Sequence, residues 1–150
     1  MWSKEIKPEL GSQIRVNRGL YYHHGIYESD DVIYQFASPV GSEVSPETAI
    51  ICTTTLDNFL KGGELEVRVY SEEELSKKRS NDEIIEFAKS KLGSNMGGYN
   101  IISNNCEHFS NLCAFNEAKS NQVDDILSLL GGLFRWVRSY LNLLRYISLR

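Results

Sequence analysis

The chain has 150 residues, 41% hydrophobic and 24% charged, with a formal net charge of -4 and a pI of about 5.4. That length fits one domain able to bury its own core, and the acidic balance argues against nucleic-acid binding, which needs a clustered basic footprint. Three cysteines, Cys52, Cys106 and Cys113, form no C-x-x-C or Cys/His ladder, so neither a disulfide framework nor a zinc site is expected. The N-terminal residues contain no apolar core segment and the chain has no run of about 18 apolar residues, so a cytoplasmic protein without a spanning helix is expected.

Residues 1–12 read as a lead-in ending in a turn, with Pro8 and Gly11 as breakers. Gln13 to Arg18 alternates polar and apolar residues, the period of a half-buried strand. Gly19 breaks it, and Leu20 to Tyr27 reads as a second strand. The acidic run Glu28 to Asp31 is a hairpin turn, without the oxygen-ligand spacing of a calcium loop, and Val32 to Phe36 is a third strand. A loop rich in Ser, Pro and Gly runs from Ala37 to Pro46. Ala49 to Thr54 is β-branched and strand-like, Thr55 to Leu60 makes a helical turn stopped by Gly62-Gly63, and Glu64 to Tyr70 alternates as a further strand. Ser71 to Arg79 reads as an exposed helix start or loop.

Beyond this point the pattern turns helical. Ser80 or Asn81 caps a helix through Ile84, Ile85, Phe87, Ala88 and Leu92, closed by Gly93. A turn from Asn95 to Tyr99 precedes a helix from Cys106 through Cys113. Strands followed by helices indicate an α+β fold. From Ile126 to Arg150 there are four arginines and no acid. From Leu133 onward a helical projection sets Arg135, Arg138, Asn142 and Arg145 on one stripe and Leu133, Trp136, Tyr140 and Leu144 on the other face. The expected division is a domain over residues 1–125 and a basic amphipathic helical tail over residues 126–150, with residues 133–150 suited to the surface of an anionic membrane.

Asn105-Cys106-Glu107-His108-Phe109 is the segment richest in chemistry. A cysteine attacks as its thiolate, and a helix N-terminus lowers a thiol's pKa because unpaired N–H groups favour negative charge there. Asn105 is placed to cap that helix. The second element is Tyr21-Tyr22-His23-His24-Gly25-Ile26-Tyr27. On a strand, Tyr21, His23 and Gly25 share one face and Tyr22, His24 and Ile26 the other, so one histidine at most points at Cys106. A histidine beside a cysteine activates it by taking its proton. Glu107 and His108 do not share a helix face with Cys106 and are read as structural, as are Cys52 and Cys113.

Together, His-His-Gly-Ile-Tyr upstream and Asn-Cys-Glu-His-Phe downstream resemble the lecithin:retinol acyltransferase-like family of cysteine enzymes. The segments Thr55 to Gly63, Ala88 to Gly93 and Tyr99-Asn100 agree, and the resemblance spans roughly residues 10–116. It implies a permuted papain-like (NlpC-type) fold, a small antiparallel sheet packed on helices with the nucleophile at a helix N-terminus. By the same resemblance Cys106 is the nucleophile, His23 its general base, and Tyr21 a tyrosine lining the substrate site; His24 stands where the family has an aromatic residue. Gln35 stands where the family usually has a second histidine. Its side-chain carbonyl is able to orient the imidazole but carries no charge. The implied activity is acyl transfer from, or phospholipase-type hydrolysis of, a phospholipid or other acyl lipid, with no metal or cofactor. The rival readings are an amidase or peptidase on the same scaffold and a non-catalytic regulatory module.

Overall fold

The computed structural model describes residues 1–40, 43, 45–98, 105–116, 128 and 131. The chain divides into two units, Met1–Ser120 and Asn121–Arg150. The elements below belong to the first; the amphipathic helix expected from Leu133 and the Tyr99-Asn100 motif lie outside the described residues.

Among the described residues there are six strands: β1 (Trp2–Ser3), β2 (Gln13–Asn17), β3 (Tyr22–Ser29), β4 (Val32–Ala37), β5 (Ile50–Thr54) and β6 (Leu65–Arg68). They make one antiparallel sheet in the order β1-β6-β2-β3-β4-β5. Together with its helices this is an α+β architecture. Two differences from the sequence expectation have local causes. Strand β3 starts two residues late because Arg18 N–H donates to Tyr21 O across a turn in which Gly19 takes φ +87°, a conformation glycine adopts without strain. The lead-in is not all loop, since Trp2 and Ser3 pair with Arg68 and Val67.

The two faces of the sheet are covered differently. Ile26, Tyr34, Phe36 and Ile51 share a core with α3 (Asn81–Ser90) and α4 (Cys106–Phe115). On the other face Ile14, Val16, Ile33 and Val67 pack with Phe59 of α1 (Leu56–Leu60). Helix α2 (Glu72–Lys77) is short and starts with a capping box, Ser71 with Glu74. Helix α3 starts with a second, Ser80 with Glu83, and buries Ile84, Ile85 and Ala88 at helical spacing.

Polar contacts fix where α4 lies. Gln13, fully buried on β2, donates to Ser110 Oγ at 2.8 Å and Asn111 Oδ1 at 2.9 Å. Arg68 donates to the same Asn111 oxygen at 2.9 Å. At the C-terminal end, Arg79 Nη1 donates to the carbonyls of Leu112 at 2.7 Å and Cys113 at 2.9 Å, a cation on the negative end of the helix. With its body and tail anchored, the N-terminus of α4 is aimed at a fixed place on the sheet.

Candidate active site

That place is a gap in the ladder. Strands β3 and β4 pair from Ser29–Val32 to Gly25–Gln35 and no further, while β4 stays paired with β5 as far as Ala37–Ile50. His24 and His23 would have continued the pairing with Phe36 and Ala37. The backbone groups of Tyr27 turn toward β2, exchanging bonds with Gly11 N–H and Ser12 O. By the two-residue repeat those of Tyr22 and His24 turn toward the gap.

The first turn of α4 fills it. Cys106 Sγ lies 3.8 Å from Tyr22 O, the carbonyl of the peptide that leads into His23, and the thiol donates to it. The backbone N–H of His24 acts on the same sulfur. The turn itself is built by Asn105, whose Oδ1 accepts from Glu107 N–H at 2.9 Å and His108 N–H at 3.2 Å. His108 reaches back, Nδ1 accepting from Asn105 N–H at 3.2 Å. Phe109 N–H donates to Asn105 O. The amide of Cys106 enters no hydrogen bond among the described residues, and is the first-turn N–H left for a developing anion.

Of the sequence-predicted residues, His23 and Gln35 are brought together on the α1 face of the sheet. Gln35 Oε1 is 2.9 Å from His23 Nε2, which holds the hydrogen on Nε2 and leaves Nδ1, buried and without a hydrogen-bond partner, as the basic nitrogen. The His23 ring sits 5.1 Å from that of Phe59. Gln35 Nε2 points to Cys52 Sγ at 3.8 Å. Tyr21 is half-buried, its hydroxyl donating to Glu43 Oε2 at 3.0 Å. His24 is on the opposite face, buried, edge-on to Trp2 at 5.2 Å and with both ring nitrogens unpartnered.

Burial decides the resting protonation states. The expectation of a thiol made acidic by the helix terminus is reversed. Cys106 is 2% exposed, and loss of solvation pushes its thiol up to about 12 against the opposing N–H groups of His24 and Glu107. The same desolvation lowers His23, Glu43 and Gln35 pulling it partly back. Both shifts favour the uncharged forms, a neutral thiol at Cys106 and a neutral imidazole at His23.

One residue of this cluster escaped the sequence reading. Glu43, in the loop after β4, places Oε1 3.8 Å from His23 Nε2. The available signal was that Glu43 is the sole charge between Ala37 and Pro46, next to a site whose Gln35 is neutral. Among the described residues no group of three or more His, Cys, Asp or Glu side chains is placed to hold a metal ion. A cleft of about 280 Å³ lined by Lys7, Val67, Tyr70 and Lys78 includes none of the predicted site residues.

The family model described as lecithin retinol acyltransferase matches residues 6–119. The chain is 28% identical to mouse phospholipase A and acyltransferase 3 over 135 residues, 83% of this chain and 82% of the relative. It is 28% identical to rat phospholipase A and acyltransferase 5 over 138 residues, covering 81% of this chain but 44% of that protein. With rat lecithin retinol acyltransferase it shares 26% identity over 151 residues, 87% of this chain and 64% of the relative.

Proposed function

The chain belongs to the lecithin retinol acyltransferase family, and from that premise we propose that it is a thiol acyltransferase or phospholipase A-type hydrolase that carries the acyl group of a lipid ester on Cys106. The observation that supports this most directly is the seating of Cys106 Sγ on the peptide carbonyl that leads into His23, a residue whose Nε2 is engaged and whose Nδ1 is not. The order of the two residues, His23 before Cys106, fits a permuted papain-like arrangement.

In this reading the thiol swings from Tyr22 O to His23 Nδ1 and gives up its proton as Sγ attacks the ester carbonyl. A C–S bond forms and the carbonyl electron pair moves onto oxygen. The Cys106 amide and the positive end of α4 stabilise that oxyanion. Collapse breaks the ester C–O bond, and the imidazolium returns its proton to the leaving alcohol, leaving a thioester on Cys106. Water, or an acceptor alcohol or amine, then repeats the sequence on the thioester, with His23 again taking a proton, and frees the thiol. Because the resting pair is neutral, deprotonation accompanies attack and His23 works as a general base. Gln35 holds the tautomer throughout, and Tyr21 lines the approach.

The substrate class, a phospholipid acyl chain, follows the relatives named phospholipase A and acyltransferase. Residues 1–125 form the catalytic domain in this proposal. In the same proposal the basic, amphipathic sequence pattern of residues 126–150 seats a cytoplasmic protein peripherally on the bilayer. No helix among the described residues is long and apolar enough to cross a membrane.

Intact-protein mass after incubation with phosphatidylcholine vesicles, followed by lipid analysis, tests the reading. The expected result is a fatty-acyl addition and lysolipid from the wild type and neither from Cys106→Ser. Rapid alkylation of Cys106 with no adduct and no lysolipid refutes lipid acyl transfer and points to an amidase. Deletion of residues 133–150 is expected to reduce liposome co-sedimentation; unchanged binding removes the tail from the proposal.

A further inference from the structure

A buried acid in a loop needs a reason, because a carboxylate taken out of water must be fully paired to be tolerated. The Glu43 side chain is 10% exposed. Arg18 grips it with two bonds, Nε to Oε2 at 3.0 Å and Nη2 to Oε1 at 3.1 Å. Lys61 Nζ adds a bond to Oε1 at 3.2 Å and Tyr21 one to Oε2 at 3.0 Å. Arg18 is itself fixed, donating to Leu60 O at 3.0 Å and Phe59 O at 2.6 Å. The β2–β3 turn, the end of α1 and the loop after β4 thus converge on one carboxylate. The polar atom it faces beyond its own partners is His23 Nε2.

We infer that Glu43 is a positioning residue that supplies the negative charge Gln35 lacks, stabilising the His23 imidazolium at the moment it has taken the Cys106 proton. The inference rests on the reading of His23 as the base, and Glu43 acts through that ring without touching substrate. The labour is divided at Nε2: the amide oxygen of Gln35 at 2.9 Å fixes the tautomer, and the carboxylate at 3.8 Å supplies the field. The sign of that field depends on Glu43. Besides Glu43, the groups acting on or coupled to His23 are Gln35, Arg18, Lys61 and the neighbouring His24. Arg18 and Lys61 both disfavour a charged ring. Remove Glu43 and the imidazolium meets two cations with no anion between them. Burial alone would raise the Glu43 carboxyl, but Arg18, His23 and Lys61 together hold it at about 2, so it is ionised over the whole working range.

The test follows the His23 imidazole by heteronuclear NMR across pH, alongside single-turnover acylation of Cys106 by phosphatidylcholine vesicles, in wild type, Glu43→Gln and Glu43→Asp. Glu43→Gln is expected to lower the His23 pKa by about one unit or more, a tenfold change in equilibrium, and to slow acylation at saturating lipid by about tenfold with KM little changed. Glu43→Asp, which keeps the charge, is expected to recover most of both. Lys61→Met, at a side chain 60% exposed, is expected to shift His23 upward, which keeps the test open where Glu43→Gln folds poorly. A His23 titration unmoved in folded Glu43→Gln, or moved downward in Lys61→Met, overturns the inference and reduces Glu43 to a loop brace. If wild type forms no acyl-enzyme while the titration still responds to Glu43, the lipid reading fails and the charge partnership stands.

Discussion

Replacing Gln35 by leucine is the sharpest test of the orienting bond. Leucine approximates the volume of glutamine and removes the acceptor on His23 Nε2 without touching Cys106. Before proton transfer the lost bond is between neutral groups; once the ring is an imidazolium it is a bond to a charged donor. Bonds to charged groups contribute about 1.5–3 kcal/mol against about 1 kcal/mol for neutral ones. His23 is 1% exposed, so water does not readily replace the lost partner. The difference, about 0.5–2 kcal/mol, falls on the charged state alone and predicts acylation slower by roughly twofold to thirtyfold. The ring's pKa falls as well, since the Gln35 bond raises it. The unpaired Nε2–H in the resting enzyme costs about 1–3 kcal/mol of stability. Quenched single-turnover acylation and urea denaturation measure the two effects separately. A variant that loses stability but acylates within twofold of wild type would show that Gln35 braces β4 and does not serve His23. Gln35→His, which restores the residue usual in the family, is expected to keep the wild-type rate or exceed it.

Three further predictions concern the surroundings of the thiol. With burial holding Cys106 at about 12, iodoacetamide alkylation should keep rising between pH 7 and 9.5, by about tenfold per pH unit; a rate that plateaus below pH 7 would reveal a thiolate–imidazolium pair instead. Asn105→Ala removes the acceptor of the Glu107 and His108 amides and should cost about 0.5–2 kcal/mol, read from the denaturant midpoint, and slow acylation; an unchanged midpoint would mean water takes over the cap. For His24, burial followed by Arg15 lowers the folded pKa well below 6.5. The neutral ring is therefore tolerated above the unfolded pKa, and the stability associated with it is lost as pH falls below about 6.5. His24→Phe should move the acid-unfolding midpoint to lower pH, monitored by circular dichroism, and an identical midpoint would count against this assignment.

What the sequence disclosed was whatever local chemistry decides. Ser80 with Glu83 announces α3, and Asn105 ahead of Cys106 places the thiol in a first turn, because caps are contacts between residues three apart. The pairing of His23 with Gln35 was legible as a family spacing, and the structure supplies the 2.9 Å contact. Strand β1 was invisible because two residues show no period and the pairing of Trp2 with Arg68 spans most of the domain. Glu43 was missed for a related reason: its partners Arg18 and Lys61 come from separate loops, and no local pattern marks an acid that folding will bury. The thiol's resting state was misjudged because the helix terminus is a local feature while desolvation is a property of the whole packed site.

The alternation of a strand sets a geometric problem that this fold has to solve. His23 lies on the α1 face and α4 covers the other, so a continuous sheet would stand between the His23 ring and the Cys106 thiol. Ending the β3–β4 ladder at Gly25–Gln35 removes that barrier, but it strips Tyr22 O and His24 N–H of strand partners, and each buried backbone group left unpaired costs about 1–3 kcal/mol. The sulfur of Cys106 meets both groups, so the opening and the helix that enters it compensate each other. Gly25 sits at the last paired position, where an added Cβ would lie 2.9 Å from Ile33 Cγ2 and from Phe59 Cε2. That absence of a side chain lets the Phe59 ring pass beneath the strand and support His23 from below. A missing ladder and a missing side chain thus do in three dimensions what no single local motif could do: they seat the thiol of a helix on the backbone of a strand whose His23 ring lies on the opposite face.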